Sequence, residues 1–380
     1  MRRATMQISG RVRACAALLA VALLALMACA GAASALPAKF WGAVPQSTPS
    51  EEHIQRLKRG GVKTMRVPID WGGVQQGGKT APFNFAGTDV IVERAAKANI
   101  ELLPFLTGAP SWAIPNVFVP GDRNAKAPAR LPASGPAASY WKKFVVAAVA
   151  RYGTTGSFWA DNPGLPKRPV KVWQIWNEPN FKYFIAHPNP AEYGRLVKLS
   201  YTAIKTVDPS AQILLGGLFA EPKGCVKEAR PKSPCATDFL EAMYKKTPGI
   251  KSKFNAVALH PYSNTYQEVG PRIEAFRQVL AKNKDAAKGL WITELSWSSQ
   301  PPTGGNTFAK GEAGQARQLK GAFTLLRSKQ AKWKLQRVYW FSVDDAAGAC
   351  NFCDGSGLFG EDFQPKKAWY EYVKFAGGTP

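Results

Sequence analysis

Short, nearly unbroken apolar runs recur along this chain, separated by longer stretches in which apolar residues return every three or four positions. Runs too short for helices and apolar on both faces are strands covered on two sides, whereas the helical spacing marks amphipathic helices. Phe40–Val44 is the first such run. Thr48-Pro49-Ser50-Glu51 then has the pattern of a capping box with proline at the first helical position, opening a helix to Arg59 that stops at Gly60-Gly61. Thr64–Pro68, Leu102–Leu106 and Val170–Trp176 continue the strand series, followed by helices over Thr88–Ala98, Tyr140–Arg151 and Ala191–Val207. The alternation goes on with Ile213–Leu218 and Asp238–Lys245, Ala256–His260 and Ile273–Ala281, Leu290–Glu294 and Ala313–Ser328, and Val338–Ser342 and Lys366–Phe375.

Eight strand–helix units predict an α/β fold, a closed (β/α)8 TIM barrel, rather than an open doubly wound sheet. No glycine-rich phosphate loop follows the first strand, which argues against dinucleotide binding. The connections Thr107–Ala138 and Leu218–Ala236 are long and fall at the carboxyl face, where a barrel keeps its functional loops. With no linker, repeat or second core, residues 36–380 read as a single domain with elaborated loops, and an appended carbohydrate-binding module is not expected.

Residues 1–35 have a different pattern. Arg2, Arg3, Arg11 and Arg13 precede an apolar run over Ala14–Ala30 and the small residues Ala33-Ser34-Ala35, the layout of a secretory signal peptide. The run is shorter than the roughly 20 residues a membrane span needs. A mature, exported protein starting near Leu36 is expected; the alternative is a lipoprotein anchored at Cys29. Export favours disulfides, and the remaining cysteines predict two local ones, Cys225–Cys235 and Cys350–Cys353, over a four-thiolate zinc site. The formal charge is +24, of which the signal segment carries four positive charges, and a field of that sign attracts acidic polymers. The cations are nevertheless scattered, at Lys63, Lys97, Lys142, Lys198, Lys245 and Lys332 among others, with no nucleic-acid motif, so nucleic acid is not an expected partner.

The chemistry collects at two glutamates. Glu178, in Trp176-Asn177-Glu178-Pro179-Asn180, closes the fourth strand, and Glu294, in Trp291-Ile292-Thr293-Glu294, closes the seventh, so a barrel turns both carboxylates into its mouth. Two carboxylates facing one cleft suit glycoside hydrolysis, one protonating the leaving oxygen and the other attacking or activating water. A metal site is not expected, because hard cations want more oxygen ligands and 3 His supply little nitrogen. Glu178 needs a raised pKa, which the aromatic neighbours Trp176 and Phe181 can provide, and Glu294 needs a cation, for which Arg66 on strand two is the candidate. His260, with Pro261-Tyr262, ends strand six and also faces the mouth. Sugar faces call for aromatic platforms, and Trp41, Trp71, Trp112, Trp297 and Trp340 lie near strand ends; Asp70, Asp344 and Asp345 are candidate hydroxyl ligands.

The Trp-Asn-Glu-Pro-Asn motif, Glu294 on strand seven and His260-Pro261-Tyr262 on strand six resemble the clan A retaining glycoside hydrolases, nearest to families 39 and 5. The resemblance extends over the whole of residues 36–380 and implies Glu178 as general acid/base and Glu294 as nucleophile. It further implies that Asn177 binds the sugar 2-hydroxyl, that Arg66 serves Glu294, that His260 and Tyr262 orient the nucleophile or bind sugar, and that Trp340 stacks beneath the sugar. No cofactor is implied. The expectation is an exported retaining β-glycosidase acting on a β-linked oligo- or polysaccharide, with the positive charge pointing to an acidic one, and with transglycosylation or non-catalytic glycan binding as alternatives.

Overall fold

The computed structural model describes residues 35–380 apart from 222–224, 226–232, 303–304 and 347–352. Its strands are β1 (Trp41–Val44), β2 (Thr64–Asp70), β3 (Glu101–Thr107), β4 (Val172–Ile175), β5 (Gln212–Phe219), β6 (Ala256–His260), β7 (Gly289–Ile292) and β8 (Leu335–Phe341). They pair in chain order into a closed barrel, and every pairing between neighbours is parallel. The expected barrel is therefore present. The outer helices are α1 (Glu51–Arg59), α2 (Ala86–Lys97), α3 (Gly135–Tyr152), α4 (Pro190–Val207), α5 (Ala236–Lys246), α6 (Val269–Lys282), α7 (Gly311–Ser328) and α8 (Lys367–Ala376).

Local chemistry accounts for the boundaries, including one that differs from expectation. Helix α1 starts after Ser50, whose Oγ accepts from the His53 N–H at 3.2 Å; Thr48 and Pro49 lie outside the helix. A serine in extended backbone presents its hydroxyl to the first free N–H groups of the helix, so it outcompetes the earlier threonine as the cap. Strands β4 and β7 end before the glutamates they deliver, at Ile175 and Ile292, because the chain turns from ladder pairing into loop at the mouth. The connection after β3 also contains an antiparallel hairpin, Asn116–Val119 with Asp122–Pro128, turning at Pro120-Gly121. The apolar run Val117-Phe118-Val119 is too short, and Asp122–Pro128 too polar, to identify either as a strand in sequence.

Inward and outward residues alternate along each strand. Val44, Leu103, Leu214, Ala256, Ala258, Trp291 and Tyr339 fill the barrel interior. The Tyr339 ring fits because Gly42 sits opposite it: a Cβ on Gly42 would come within 2.6 Å of that ring. Tyr339 donates or accepts a 2.9 Å hydrogen bond with Thr64 and stacks on Trp291, whose ring lies 6.4 Å away. Burial of side chains of this size stabilises by about 1.5–3 kcal/mol each. This packed floor supports the layer of polar residues above it.

The disulfide Cys225–Cys235 is formed as expected. Cys350, the expected partner of Cys353, and the proposed signal segment with Cys29 lie outside the described residues. Among the described residues no helix is long and apolar enough to cross a membrane.

Candidate active site

Above the apolar floor the inward positions become polar. Arg66 on β2 is completely buried and uses its guanidinium as a three-way fork, with each contact at 2.6 Å: NH1 to Glu294 Oε1, NH2 to Asn177 Oδ1 and Nε to Gln174 Oε1. The guanidinium also lies over the Phe105 ring, 3.9 Å from its centroid. A planar fork of fixed donors can hold three acceptors, here two from the end of β4 and one from the end of β7, in one geometry, which an ammonium group cannot do. Tyr262 donates its hydroxyl to the other oxygen of Glu294 at 2.8 Å. Glu294 is thus held at both oxygens, and Tyr262 is the residue that orients it.

Glu178 reaches the site through a strained loop. Trp176 and Glu178 have positive φ angles of 68° and 41°, unusual for residues with side chains. Such conformations cost on the order of 1–3 kcal/mol each and persist only where the surroundings impose them. Here the Trp176 N–H donates to Leu106 O at 2.8 Å and the Glu178 N–H to Gly217 O at 3.1 Å, tying the loop to β3 and β5. Gly216 and Gly217 make room for it. A Cβ on Gly216 would lie 2.8 Å from Ile175 O, and one on Gly217 would lie 1.9 Å from His260 Nε2. The Trp176 ring turns away from the carboxylates and packs against Trp141 of α3, at 5.7 Å. Its contribution is therefore to the placement of the loop.

The two carboxyl groups have unequal surroundings. Burial pushes Glu178 well above its ordinary value, the negative charge of Glu294 pushes it further, and Arg66 opposes them. Burial also raises Glu294, but there Arg66 and the Tyr262 hydroxyl both favour the ionised form. The proton shared between them therefore belongs to Glu178. Burial, reinforced by the Arg66 charge, pushes His260 well below the usual imidazole range and keeps it neutral.

Donor and acceptor chemistry then fixes the position of each proton. Because Gln174 Oε1 accepts from Arg66, its amide nitrogen faces Leu215 O at 3.0 Å and Thr293 Oγ1 at 3.5 Å. A threonine hydroxyl that accepts from an amide is free to donate, and its neighbour is His260 Nε2 at 2.9 Å. Neutral His260 then carries its own proton on Nδ1 and donates it to Glu178 Oε1 at 2.6 Å, leaving Glu178 Oε2 to hold the transferable proton. Thr293→Val removes the donor at Nε2 and frees the imidazole tautomer. We expect about tenfold slower hydrolysis of glycosides with poor leaving groups, little change for dinitrophenyl glycosides, and recovery in Thr293→Ser. Equal losses across a leaving-group series would show that Thr293 acts only on the fold.

The structure brings Arg66, Asn177, Glu178, His260, Tyr262 and Glu294 together, as expected, and corrects most of the tryptophans. Trp41 is the first residue of β1 and stacks on Phe323 of α7 at 4.1 Å, in the helix layer and away from the mouth. Trp340 is fully buried, donates to Ser356 O at 3.0 Å and lies 6.2 Å from Phe323. Period-two alternation explains this: Tyr339 and Phe341 face inward, so Trp340 between them faces out. Phe341, 6.5 Å from Tyr262, is the β8 aromatic on the inner face. Trp297 is also fully buried, with its indole donating to Ser263 O at 2.8 Å, so it offers no face to a ligand. Trp71 is buried beside Trp112, 5.6 Å away. Trp112 alone of this group keeps part of its surface open, with its indole donating to Gln75 O at 3.0 Å.

Of the aspartates, Asp70 caps a short helix by accepting from the Gly73 N–H, Asp345 pairs with Lys366 at 2.7 Å, and Asp344 accepts from Ser47 at 3.4 Å. Gln174, Thr293 and Phe341 were not singled out from sequence. Gln174 and Thr293 could have been found from strand alternation, since each lies an even number of residues from another inward position.

One ligand atom each from Glu178, His260 and Glu294 lies within 4.8 Å of the others, a grouping that resembles a metal site. The Arg66 guanidinium, 2.6 Å from Glu294, repels a cation there, and Glu178 holds a proton that a metal would have to displace. The arrangement suits proton transfer and nucleophilic attack better than metal binding.

Comparison with known proteins agrees with this chemistry. The family model "Glycosyl hydrolase catalytic core" matches residues 153–370, a span that includes Glu178, His260 and Glu294. A β-xylosidase from Geobacillus stearothermophilus is 27% identical over 144 residues, 37% of this chain and 26% of that protein, so the match spans about a quarter of the curated relative. The fold is shared with a family 39 glycoside hydrolase from Bacteroides cellulosilyticus WH2, with TM-score 0.63, 18% identity, 90% of this chain and 64% of that one. It is also shared with a monomeric β-xylosidase from Caulobacter crescentus CB15, with TM-score 0.58, 16% identity, 89% of this chain and 68% of that one. A match over more than half of the sequence, containing both carboxylates, places this chain in the glycosyl hydrolase catalytic core family.

Proposed function

We propose that this chain is an exported β-glycosidase that hydrolyses a β-linked oligo- or polysaccharide with retention of anomeric configuration. The observation that carries the reading is the pair of buried carboxylates, with one oxygen of each within 4.8 Å of one of the other, close enough to act on one glycosidic bond, and with unequal environments. Retaining enzymes hold their carboxyl groups about 5–5.5 Å apart, whereas inverting enzymes leave about 6.5–9.5 Å for a water. Glu178 delivers its Oε2 proton to the glycosidic oxygen while Glu294 attacks the anomeric carbon and forms a glycosyl-enzyme. Glu178, now ionised, takes a proton from water, which releases the sugar through a second inversion. Asn177 accepts from Arg66 at Oδ1, which turns its amide N–H groups away from the guanidinium, and we assign them to the sugar 2-hydroxyl. Phe341 supplies the inner aromatic face on β8.

The names of the β-xylosidase relatives favour a xylo-configured sugar. Export is supported by the Ala33-Ser34-Ala35 segment and by the Cys225–Cys235 disulfide, and N-terminal sequencing of the processed protein should begin near Leu36. Proton NMR of the first product released from an aryl β-xyloside or β-glucoside tests the mechanism. The β-anomer is expected. An initial α-anomer would replace retention by inversion. In Glu178→Ala, added azide should restore turnover and yield a β-glycosyl azide, because a small anion attacks the glycosyl-enzyme without base assistance.

A further inference from the structure

The loop that carries Glu178 continues directly to an unusual surface. Among the described residues five large apolar side chains are exposed, and three of them, Phe118 (57%), Tyr183 (41%) and Phe184 (38%), belong to the β3–α3 hairpin and the segment after Glu178. These two segments form one surface. Val119, Ala127 and Ala186 make a common apolar cluster, Tyr183 donates to Asp122 at 2.9 Å, and Lys182 Nζ donates to Pro120 O at 2.7 Å. Exposed aromatic rings fixed in this way cost solvation energy without adding to the core.

The charges on this surface are one-sided. Within these two segments Arg123, Lys126 and Lys182 accompany a single carboxylate, Asp122, which is held below its ordinary value by the Asn124 N–H and the Tyr183 hydroxyl. Lys126 Nζ lies 4.8 Å from the Phe118 ring centre and Lys182 Nζ 5.5 Å from that of Tyr183, so cations and aromatic faces alternate. The surface also connects to the reaction centre. Ring centres run from Tyr262 to Phe219 at 5.8 Å, from Phe219 to Phe181 at 5.0 Å and from Phe181 to Tyr183 at 5.1 Å. Because the acid that protonates the departing oxygen begins this loop, the surface lies on the leaving-group side.

We infer that this rim is a subsite for the departing part of an acidic glycan, with the aromatic faces stacking on sugar rings and the cations pairing with uronate carboxylates. The inference rests on the β-glycosidase reading and names its substrate class. The aryl β-glycoside that the wild-type enzyme cleaves sets the backbone, and the corresponding β-linked polymer is then offered both neutral and carboxymethylated. The variants are Arg123→Glu/Lys126→Glu and Phe118→Ala, all at exposed hairpin positions away from the carboxylate pair.

We expect the charge-reversed variant to keep wild-type turnover of the aryl glycoside and to lose about tenfold in kcat/KM on the carboxymethylated polymer. On the neutral polymer it should lose less than about twofold, and its dependence on salt should flatten. Phe118→Ala should weaken action on both polymers. Native gels containing the carboxymethylated polymer read binding independently, with wild type retarded and the charge-reversed variant not. Equal activity of wild type and variant on the carboxymethylated polymer, or equal retardation, would overturn the subsite. Absence of turnover on any β-glycoside, with retardation intact, would instead overturn the β-glycosidase reading.

Discussion

Glu294→Gln is expected to slow hydrolysis of an aryl β-glycoside by about 10⁴-fold or more while leaving the fold intact. Glutamine fills the same volume, and its carbonyl oxygen can still accept from Arg66 or Tyr262, which now hold the two oxygens of Glu294 at 2.6 and 2.8 Å. What it lacks is the anionic oxygen that, on the proposed double displacement, attacks the anomeric carbon. The substitution has a second, electrostatic signature. The charge of Glu294 is one of the causes that raise Glu178, so its loss should lower the Glu178 pKa, which a carboxyl NMR titration of the variant can follow. Retained turnover at more than a few per cent of wild type would remove Glu294 from the nucleophile role. An unchanged Glu178 titration would show that the two carboxyl groups do not share a field.

Arg66→Met should be nearly as damaging to activity and should also weaken the protein. The side chain is fully buried, and its loss strands the acceptors of Glu294, Asn177 and Gln174 at once. Breaking a buried ion pair from one side costs about 3–5 kcal/mol. Methionine replaces much of the contact with Phe105 but none of the hydrogen bonds. Arg66 lowers the pKa of both carboxyl groups, so both should rise in the variant. On the proposed mechanism attack requires Glu294 ionised, so activity should be lost as pH falls through its pKa and the acid limb of kcat/KM should move to higher pH. The sign for stability follows from the same shift. A carboxyl group with a raised folded pKa stabilises most below its unfolded value, and that contribution disappears as pH rises through the folded value. Thermal unfolding of the variant should therefore show a larger deficit against wild type at pH 8 than at pH 5. A parallel shift at both values would mean that lost packing, rather than charge, dominates.

Arg66 also shows why one residue type at one place carries so much of the site. It holds Glu294 directly and, through Gln174, Thr293 and His260, sets which oxygen of Glu178 holds the proton. Arg66→Lys would preserve the charge and lose this geometry, because an ammonium group does not present three donors in a plane.

How far the sequence could be read varied with the range of the interaction involved. The barrel was legible because strand and helix patterning is local: a buried parallel strand announces itself within five or six residues, and eight such signals leave few topologies. Glu178 and Glu294 were legible because strand ends in a barrel converge on one mouth. The fate of Trp340 depended on which member of Tyr339-Trp340-Phe341 faces inward, a choice between two registers that an all-aromatic run does not reveal. It was settled by Phe323 and Ser356, which receive Trp340 from outside the barrel. Trp41 and Trp297 were misplaced for the same reason, since an indole near a strand end is equally suited to the helix layer. The hairpin after β3 escaped notice because one strand has only a three-residue apolar run and the other is polar, and the contacts that hold them come from the segment after Glu178.

By itself, then, the sequence determined the architecture, which follows from periodicity, and brought the two carboxylates to one mouth, which follows from the convergence of strand ends. Only the tertiary structure decided which carboxyl group keeps the proton, through burial and the unequal reach of Arg66, and which aromatics meet the cleft, through register. These are properties of distances between residues far apart in the chain, such as the 228 positions separating Arg66 from Glu294, and no local pattern encodes them.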